Sequence, residues 1–436
     1  MNPVKIGLLG LGTVGGATYR VLTRNAEEIS RRAGRDIVIT HASVRDTGRV
    51  APLGLEDVRL SNDLEAVVED PEISVVVELI GGADDAYELI MRAIENGKHV
   101  VTANKALIAL HGNELFAAAQ KKGVMIAFEG AVAGGIPIIK SIREGLAANK
   151  INWIAGIING TCNFILTEMR DHGRDFDDVL QEAQRLGYAE ADPSFDVDGI
   201  DAAHKLTILA SIAFGIPLQF DRVYTEGVGK VSADDVVYAR ELGYIIKHLA
   251  IARKTDGRIE LRVHPTLIPE RRLIANVNGV MNAIQVMADA LGPTLYYGPG
   301  AGGEPTASAV VADLVDVVRA LTTDPENRVP HLAFKPDQIA DLPICPIEEI
   351  ETSYYIRLQA VDRPGVMAKV SGIMGDLDIS IEAIIQKEPS EGETTVPLIL
   401  VTRRVKEKAV KEAIRQFRHL DVIVGDVVRL RVETLA

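Results

Sequence analysis

Short apolar runs alternate with amphipathic segments over about the first 140 residues. Buried parallel strands are apolar throughout, and the crossover helices that cover them are apolar on one face only. The pattern therefore predicts an α/β domain with a parallel sheet. We place its strands at 4–9, 36–44, 73–82, 98–108 and 124–130, and its helices after Gly15, at 83–95 and at 113–122.

After residue 138 the periodicity changes, and helical and strand-like segments are mixed. This mixture predicts an α+β domain. Residues 200–214 form one predicted helix, almost wholly apolar beyond Lys205. A long apolar helix at 306–321 could return to close the first domain. Other helices are predicted at 138–148, 163–169 and 177–186, and strands near 258–268 and 282–292.

Five prolines between residues 324 and 353 indicate a linker before a third domain. The segments beyond it follow the order strand, helix, strand, strand, helix, strand. That order is the ferredoxin-like arrangement. We place its strands at 354–361, 379–386, 395–402 and 422–432, and its helices at 366–377 and 405–417.

Composition and charge limit which binding partners and which cellular compartment we expect. The net charge of −14 disfavours nucleic acid and anionic membranes as partners. No uncharged apolar run reaches the roughly 18 residues of a membrane span, and the first residues lack the layout of a signal peptide. Only Cys162 and Cys345 are present, without metal-ligand spacing, so we expect neither a disulfide framework nor structural zinc. We therefore expect a cytoplasmic protein.

A glycine motif marks a candidate dinucleotide site. Gly10, Gly12 and Gly15 follow the first predicted strand and open the first predicted helix. This spacing allows a tight turn, a close approach of backbone amides to a pyrophosphate, and close packing of helix on strand. A glycine-rich turn without a ligand is the alternative. Arg45 lies at the end of the second strand, where NAD-binding sites usually carry an acidic residue. An arginine there could accommodate a 2′-phosphate, so we predict NADP(H). A solvated arginine at a strand end is the alternative.

Two other strand ends carry candidate groups. Lys105 lies where the predicted strand at 98–108 ends, at the carboxyl edge of the sheet where open α/β sheets bind ligands, and it could face a nicotinamide and substrate. A lysine that merely caps the sheet edge is the alternative. The turn after Glu129 is rich in small residues, so free carbonyls beside this carboxylate would suit a hard cation. A tight connection alone would also explain that turn.

The most distinctive segment is 187–214. Asp201 and Lys205 are four residues apart on its predicted helix, so their side chains share one face. A lysine held by an aspartate at the edge of a low-dielectric cleft is suited to moving a proton. A surface ion pair is the ordinary alternative. Upstream, residues 159–161 could bind a substrate carboxylate or simply cap a helix. The loop before the helix carries Glu190, Asp192, Asp196 and Asp198.

These motifs together resemble one family, homoserine dehydrogenase, in the long bacterial form with a C-terminal ACT domain. The resemblance covers essentially the whole chain. The block at 187–206 is the most specific, because several acidic residues and the lysine must fall at fixed offsets. The motifs are GLGTVG at 10–15, TANKALIALHG at 102–112, EGAVAGGIPI at 129–138, NGTCNFIL at 159–166, GYAEADPSFDVDGIDAAHKL at 187–206, GPGAGGEPTA at 298–307 and DRPGV at 362–366.

The resemblance implies a reaction: reversible, NAD(P)H-dependent reduction of L-aspartate 4-semialdehyde to L-homoserine, in threonine, methionine and isoleucine biosynthesis. It implies that Lys205 exchanges the proton of the substrate hydroxyl, that Lys105 is an essential second lysine beside the nicotinamide, and that Asp201 lines the substrate pocket. Glu190 would bind the substrate amino group, in a pocket with Asp196, Gly160, Thr161 and Tyr188. Cofactor contacts implied by the resemblance are Thr13, Val14, Lys105 and Gly303, in addition to Gly10, Gly12, Gly15 and Arg45 of the candidate dinucleotide site. A sodium ion would be held at Glu129, Val132, Gly134 and Ile136.

The resemblance also implies a division of the chain. A Rossmann-type nucleotide-binding domain would span 1–137, completed by a helix near 303–323. A substrate-binding and dimerisation domain would span 138–302, and a linker at 324–353 would precede the ACT domain at 354–436. That domain would sense threonine or a similar end product, and we expect a homodimer or a higher homo-oligomer. The alternatives are a dehydrogenase for a related amino-acid aldehyde and a catalytically inactive amino-acid sensor.

Overall fold

The structure is a computed structural model that describes residues 2–46, 48, 53–386 and 394–435. The chain forms two compact units. Within the described residues, no helix combines the length and the apolar character needed to cross a membrane. The first unit contains Met1–Gly160, Asp201–Val223 and Val280–Leu342, and the second contains Thr161–Ile200, Tyr224–Gly279 and Pro343–Ala436.

Helices and strands alternate through the first part of the chain. The strands are β1 (Val4–Leu9), β2 (Ile37–Ser43), β3 (Arg59–Ser61), β4 (Val75–Glu78), β5 (His99–Thr102), β6 (Ile126–Ala127), β7 (Ile151–Ile157), β8 (Tyr224–Thr225), β9 (Tyr244–Thr255), β10 (Arg258–Pro269), β11 (Met281–Ala288), β12 (Gly292–Pro299), β13 (Glu351–Val361), β14 (Ile381–Gln386), β15 (Thr395–Thr402), β16 (Val405–Lys406) and β17 (Ile423–Val432). The helices are α1 (Thr13–Arg24), α2 (Ala26–Ala33), α3 (Leu64–Glu69), α4 (Asp84–Glu95), α5 (Lys105–Lys122), α6 (Ile138–Lys140), α7 (Gly160–His172), α8 (Phe176–Arg185), α9 (Ser194–Val197), α10 (Ile200–Phe214), α11 (Ala233–Glu241), α12 (Gly303–Ala320), α13 (Val366–Asp376) and α14 (Glu407–Phe417).

A parallel sheet forms the core of the first unit, with the strand order β3-β2-β1-β4-β5-β6. This is the order of dinucleotide-binding folds, so the predicted Rossmann-type fold class is confirmed. Helix α12 packs against α1 and contributes Val310 and Leu314 to the same apolar core as Leu8 and Val75. The strand order reverses between β1 and β4, and ligands of such sheets bind beyond the carboxyl ends of those strands.

A buried helix is the other main feature of the first unit. Helix α10 is buried at every residue from Asp201 to Phe214. A helix that is apolar on all sides belongs in a protein interior. Because α10 nevertheless carries Asp201 and Lys205, these charged groups require partners there. Strand β11 pairs in antiparallel register with β7 and β12 in the same unit.

Strand β10 organises the second unit. It pairs antiparallel with β9 and parallel with β8 and β17. Strand β17 then pairs antiparallel with β13, β13 with β15, and β15 with β14. With α13 and α14 this is the predicted β-α-β-β-α-β arrangement, which is confirmed. The C-terminal sheet is therefore joined to β10 by strand pairing, through Thr266 opposite Arg431.

The predicted strand at 98–108 is wrong beyond Thr102. Strand β5 ends at Thr102, and α5 begins at Lys105 instead of at Asn113. The cause is a helix cap: the side-chain oxygen of Asn104 accepts a hydrogen bond from the Leu107 amide at 3.1 Å. The apolar run after Lys105 is thus the buried face of a helix and not a strand.

Other predicted bounds also differ from those in the structure. Helices α7 and α12 begin at Gly160 and Gly303, three residues before their predicted starts at 163 and 306. Glycine suits the first turn, where amides lack partners within the helix, although it lowers helix propensity elsewhere. The helix predicted at 138–148 is α6 followed by a wider π-helical turn at Ser141–Gly145. The strand predicted at 124–130 shortens to β6, because Glu129–Ala131 forms a tight 3-10 turn.

Phe417→Ala tests the C-terminal core. Phe417 is completely buried on α14 beside Tyr354 and Leu400. The variant should lose about 3–5 kcal/mol of unfolding free energy, because truncation leaves a cavity. Urea unfolding followed by far-ultraviolet circular dichroism measures this loss. Val424→Ala is the control: its side chain is 46% exposed, so the loss should stay below about 0.5 kcal/mol. Equal losses in the two variants would contradict this packing.

Candidate active site

One carboxylate, Asp201, contacts two lysines in the first unit. Its Oδ1 lies 3.0 Å from Nζ of Lys105, and its Oδ2 lies 2.6 Å from Nζ of Lys205. Asn159 donates from Nδ2 to the same Oδ2 at 2.9 Å. Nζ of Lys205 also donates to the carbonyl of Ile158 at 2.8 Å. The structure thus brings the three predicted catalytic residues into one cluster.

Separate elements supply this cluster. Lys105 is the first residue of α5, just beyond the carboxyl end of β5. Asp201 and Lys205 lie one turn apart on α10, so they share a face of that helix. The side chains of Asp201 and Lys205 are 4% and 10% exposed, whereas that of Lys105 is 36% exposed. Lys105 is therefore the member of the cluster most open to a ligand.

The electrostatics of the cluster keep Asp201 ionised. Burial alone would raise the pKa of its carboxyl group. The charges of Lys205 and Lys105, with hydrogen bonds from Lys205 and Asn159, outweigh burial and hold this pKa well below its usual range. Burial lowers the pKa of the neighbouring His204 imidazole to about 4, with Asp201 opposing the shift and the two lysines adding to it. His204 is therefore neutral near pH 7.

Buried Glu78 shapes the nearby edge of the sheet. It ends β4 opposite Thr102 on β5, and its Oε2 accepts a hydrogen bond from the Thr102 hydroxyl at 2.6 Å. Its Oε1 accepts from the Ile80 amide at 2.9 Å. Burial raises the pKa of Glu78, and these hydrogen bonds oppose the rise. The Thr102 hydroxyl also accepts from the Asn104 amide at 3.0 Å, so Glu78 helps to fix the start of α5, where Lys105 lies.

The turn between β1 and α1 has the shape that a pyrophosphate requires. Gly10 has a φ of +95°, in the left-handed region that favours glycine. A Cβ atom on Gly15 would lie 2.0 Å from the Gly10 carbonyl oxygen, whereas one on Gly12 would meet nothing within 4 Å. The turn itself therefore requires glycine at positions 10 and 15, whereas Gly12 leaves open space beside it. Because α1 begins at Thr13, its first amides face an anion placed there.

The other predicted cofactor contacts lie near this turn or along the same edge. Thr13 and Val14 form the start of α1, and Gly303 begins α12 against it, where an added Cβ would lie 3.2 Å from the Thr13 carbonyl oxygen. Arg45 is exposed just after β2, which ends at Ser43. The residues present thus fit a dinucleotide with its pyrophosphate at α1.

Most of the predicted substrate residues belong to the second unit. The Thr161 hydroxyl donates to the Tyr188 carbonyl at 2.6 Å and lies 3.3 Å from Oδ2 of Asp196. The structure therefore brings Thr161, Tyr188 and Asp196 together. Glu190 is exposed on the following loop. Gly160 belongs to the first unit, where an added Cβ would lie 2.7 Å from the Val280 carbonyl oxygen.

The carboxylate of Glu129 binds backbone amides. Its two oxygens accept hydrogen bonds from the amides of Ile139 and Lys140 at 2.9 and 2.8 Å. Burial raises its pKa to about 7, and these bonds oppose the rise. The predicted sodium ligands Glu129, Val132, Gly134 and Ile136 stay a prediction. Among the described residues, no group of three or more His, Cys, Asp or Glu side chains could hold a metal ion.

Comparison with known proteins identifies the family. Residues 10–129 match the homoserine dehydrogenase NAD-binding domain, 137–315 match homoserine dehydrogenase, and 354–419 match the ACT domain. A homoserine dehydrogenase of Pseudomonas aeruginosa is 65% identical over 435 residues, which cover 100% of both chains. The chain belongs to the homoserine dehydrogenase family. The predicted family is confirmed.

Two further relatives match the chain over essentially its whole length, and a third matches part of it. A homoserine dehydrogenase of Neisseria gonorrhoeae is 53% identical over 442 aligned positions, covering 100% of both chains. The crystal structure of a homoserine dehydrogenase from Thiobacillus denitrificans has a TM-score of 0.96 and 63% identity, covering 100% of this chain and 99% of that one. A hyperthermophilic archaeal homoserine dehydrogenase in complex with NADPH has a TM-score of 0.61 and 30% identity, covering 72% of this chain and 97% of that one.

Sequence reasoning missed some residues of the candidate site. Glu78 ends an apolar run at the carboxyl edge of the sheet, and that position was a usable signal. The sequence predicts a substrate carboxylate or a helix cap as the partner of Asn159, whereas in the structure its side-chain amide donates to Asp201. His204 gave no signal in the sequence. In the structure the centre of its ring lies 4.2 Å from the centre of the Phe220 ring, within the interior.

Buried Lys247 on β9 supports helix α7, and it was also missed. Its Nζ donates to Oδ1 of Asn163 at 3.0 Å and to the Val277 carbonyl at 2.5 Å. Burial, with a smaller effect from the charge of Arg170, lowers its pKa to about 7. Asn163 lies one turn after the start of α7, so Lys247 helps to hold the helix that carries Thr161.

Lys247→Met should weaken the pH dependence of stability. The pKa of Lys247 falls from 10.5 to about 7 on folding, so between these values the unfolded chain binds more protons and stability rises with pH. The variant lacks this contribution. Urea unfolding at about pH 7 and pH 9.5 should show a gain in unfolding free energy that is larger in the wild type, by on the order of 2 kcal/mol. Equal gains would contradict the assignment.

Proposed function

We propose that the chain catalyses the reversible, NAD(P)H-dependent reduction of L-aspartate 4-semialdehyde to L-homoserine. Full-length similarity to homoserine dehydrogenases supports the reaction. The observation that carries the residue assignments is buried Asp201, which lies 3.0 Å from the amino group of Lys105 and 2.6 Å from that of Lys205. The enzyme is an oxidoreductase that acts on a CH–OH group.

The bound dinucleotide would supply the hydride. The open space at Gly12 and the first amides of α1 support pyrophosphate binding by Thr13 and Val14. Arg45 is exposed beyond β2, where a guanidinium group can pair with a 2′-phosphate. The NADPH complex of an archaeal homologue agrees with this choice. We therefore place NADP(H) ahead of NAD(H).

Lys205 gives a proton to the aldehyde oxygen during reduction and takes it back in the reverse reaction. Asp201 and the Ile158 carbonyl fix the direction of its amino group, which a general acid requires. Lys105 is more exposed and stabilises the alkoxide that develops on the same oxygen. Asp201 orients both amino groups and supplies the negative charge that they share.

Substrate recognition follows the family resemblance. Glu190 supplies a carboxylate for the ammonium group of the substrate. Hydrogen bonding of Thr161 to the Tyr188 carbonyl, with Asp196 nearby, supports a common role for these residues. Gly160, the first residue of α7, is assigned to the same substrate pocket.

Sodium, oligomerisation and location complete the proposal. Sodium would be bound by Glu129 together with the carbonyl oxygens of Val132, Gly134 and Ile136, since each Glu129 carboxylate oxygen that accepts an amide keeps another lone pair. A homodimer would form through the sheet of β7, β11 and β12, where Tyr297 on β12 is 58% exposed. The protein would act in the cytoplasm.

An inactive amino-acid sensor is not favoured, because Lys105, Asp201 and Lys205 are all present.

Lys205→Ala tests the proton-transfer role. We expect kcat for aspartate semialdehyde to fall roughly 100-fold or more, the scale of a lost general acid, with KM for NADPH nearly unchanged. Initial rates of NADPH and NADH consumption measure both quantities. Lys121→Ala, at the exposed end of α5, is the matched control and should leave both constants unchanged. Unaltered kcat in the Lys205 variant would remove this assignment.

The ACT domain supports an amino-acid effector, and we propose L-threonine. Millimolar L-threonine should lower the wild-type rate of NADPH oxidation, whereas D-threonine at the same concentration should not. A rate indifferent to L-threonine would keep the enzyme and leave the C-terminal domain without this effector. Folded protein with no turnover on either cofactor would argue for the sensor instead.

A further inference from the structure

A cluster of four charged groups lies within the second unit. Arg431 on β17 donates to Glu407 from Nε and Nη2 at 2.7 and 2.6 Å, and Arg429 donates to Glu407 at 2.7 Å. Both arginines also bind Oε2 of Glu226, at 2.8 Å from Arg431 and 3.2 Å from Arg429. The side chains of Arg431 and Glu407 are fully buried. The two positive and two negative charges balance.

Glu226 belongs to a short strap, residues 224–228, that the same arginines hold. The Tyr224 hydroxyl donates to Glu226 at 2.9 Å, and the guanidinium of Arg431 lies 5.0 Å from the centre of the Tyr224 ring. Burial alone would raise the pKa of Glu226, but the charges of Arg431 and Arg429 lower it below its usual range. Glu226 is therefore an ionised anchor that ties the strap to the C-terminal domain.

The strap packs directly against the turn that leads into α10. The Val228 amide donates to the Val197 carbonyl at 2.9 Å. A Cβ on Gly227 would lie 2.4 Å from that carbonyl oxygen and 2.8 Å from Cα of Asp198, so the two backbones are in contact. A Cβ on Gly199 would lie 3.0 Å from Cγ2 of Thr225.

This turn, residues 197–199, is followed at once by α10, the helix that carries Asp201 and Lys205. Ile200 is the first residue of α10, and Asp201 is the second. Asp201 is therefore two residues from the end of the turn along the chain. Its distances of 2.6 and 3.0 Å to the two lysines leave little room for a displacement of Asp201 without loss of contact.

We propose that Glu226 is a positioning residue for the reaction. It links β17 of the C-terminal domain, through the strap and the 197–199 turn, to the position of Asp201. The inference rests on the proposed function, since it concerns the group that orients Lys105 and Lys205. It also provides a route by which events in the C-terminal domain alter turnover.

The chain offers a matched control. Arg357 on β13 also belongs to the C-terminal domain, and its Nε lies 2.7 Å from Oδ1 of Asp235 on α11. That ion pair joins the C-terminal domain to another element of the second unit and does not involve the strap. Arg429→Gln and Arg357→Gln therefore make the same chemical change; Arg429→Gln also removes the contact with Glu407, whereas Glu226→Gln changes the cluster from the side of the strap.

Kinetics on the full-length protein separate the two variants. Arg429→Gln should lower kcat by about tenfold with KM for NADPH unchanged, because Asp201 shifts while the nucleotide turn does not. Arg357→Gln should lose stability in urea but keep the kcat of the wild type. Glu226→Gln should reproduce the kcat of Arg429→Gln, and the double variant should be no worse than either single variant.

Hydrogen exchange supplies a readout independent of activity. Amides in residues 197–201 should exchange faster in Arg429→Gln and Glu226→Gln, and at the wild-type rate in Arg357→Gln. Equal loss of kcat in the Arg429 and Arg357 variants would overturn the proposal, as would unchanged exchange in the Glu226 variant. If Arg429→Gln fails to fold, Glu226→Gln decides. A wild type without turnover would contradict the proposed function. Hydrogen exchange in residues 197–201 would still test whether Glu226 holds the turn before α10.

Discussion

A buried carboxylate that must remain charged is the constraint on which the candidate site depends. Removing an ion from water costs several kcal/mol unless close partners compensate it. Asp201 lies on a helix that is buried at every position from that residue onward, so its partners must be brought to it. Lys205 comes from the next turn, Asn159 from beyond β7, and Lys105 from the start of α5. The arrangement of these elements is therefore coupled to the pairing of one charge.

The carboxyl edge of the parallel sheet gives this pairing its precision. Glu78 and Thr102 join the ends of β4 and β5, and the Asn104 cap begins α5 two residues later. Lys105 therefore projects from the capped start of a helix. Similarly, β17 joins the C-terminal sheet to β10 by backbone hydrogen bonds, and the arginines of β17 form a charge-balanced cluster with Glu226 and Glu407. The C-terminal domain is thus built into the second unit by strand pairing.

Much of the fold could be predicted because its signals are local. Buried parallel strands, the glycine turn and the β-α-β-β-α-β order each follow from periodicity within a few residues. The errors fall where another local interaction competes with periodicity. The side-chain cap at Asn104 converts a predicted strand into the start of α5, and the amides bound by Glu129 accompany a tight turn where a strand was expected. At Gly160 and Gly303, glycine begins a helix in spite of its low propensity.

The sequence by itself determined the pairing of Asp201 with Lys205, because a spacing of four residues on a helix fixes their proximity. It also determined the glycine turn between β1 and α1, since strand, turn and helix are contiguous. Only the tertiary structure decided that Lys105 and Asn159 reach the same carboxylate, that Glu78 supports the edge, and that Arg431 holds Glu226. Those contacts join segments far apart in the chain. Local periodicity carries no information about such distances, which only the packing of the elements defines.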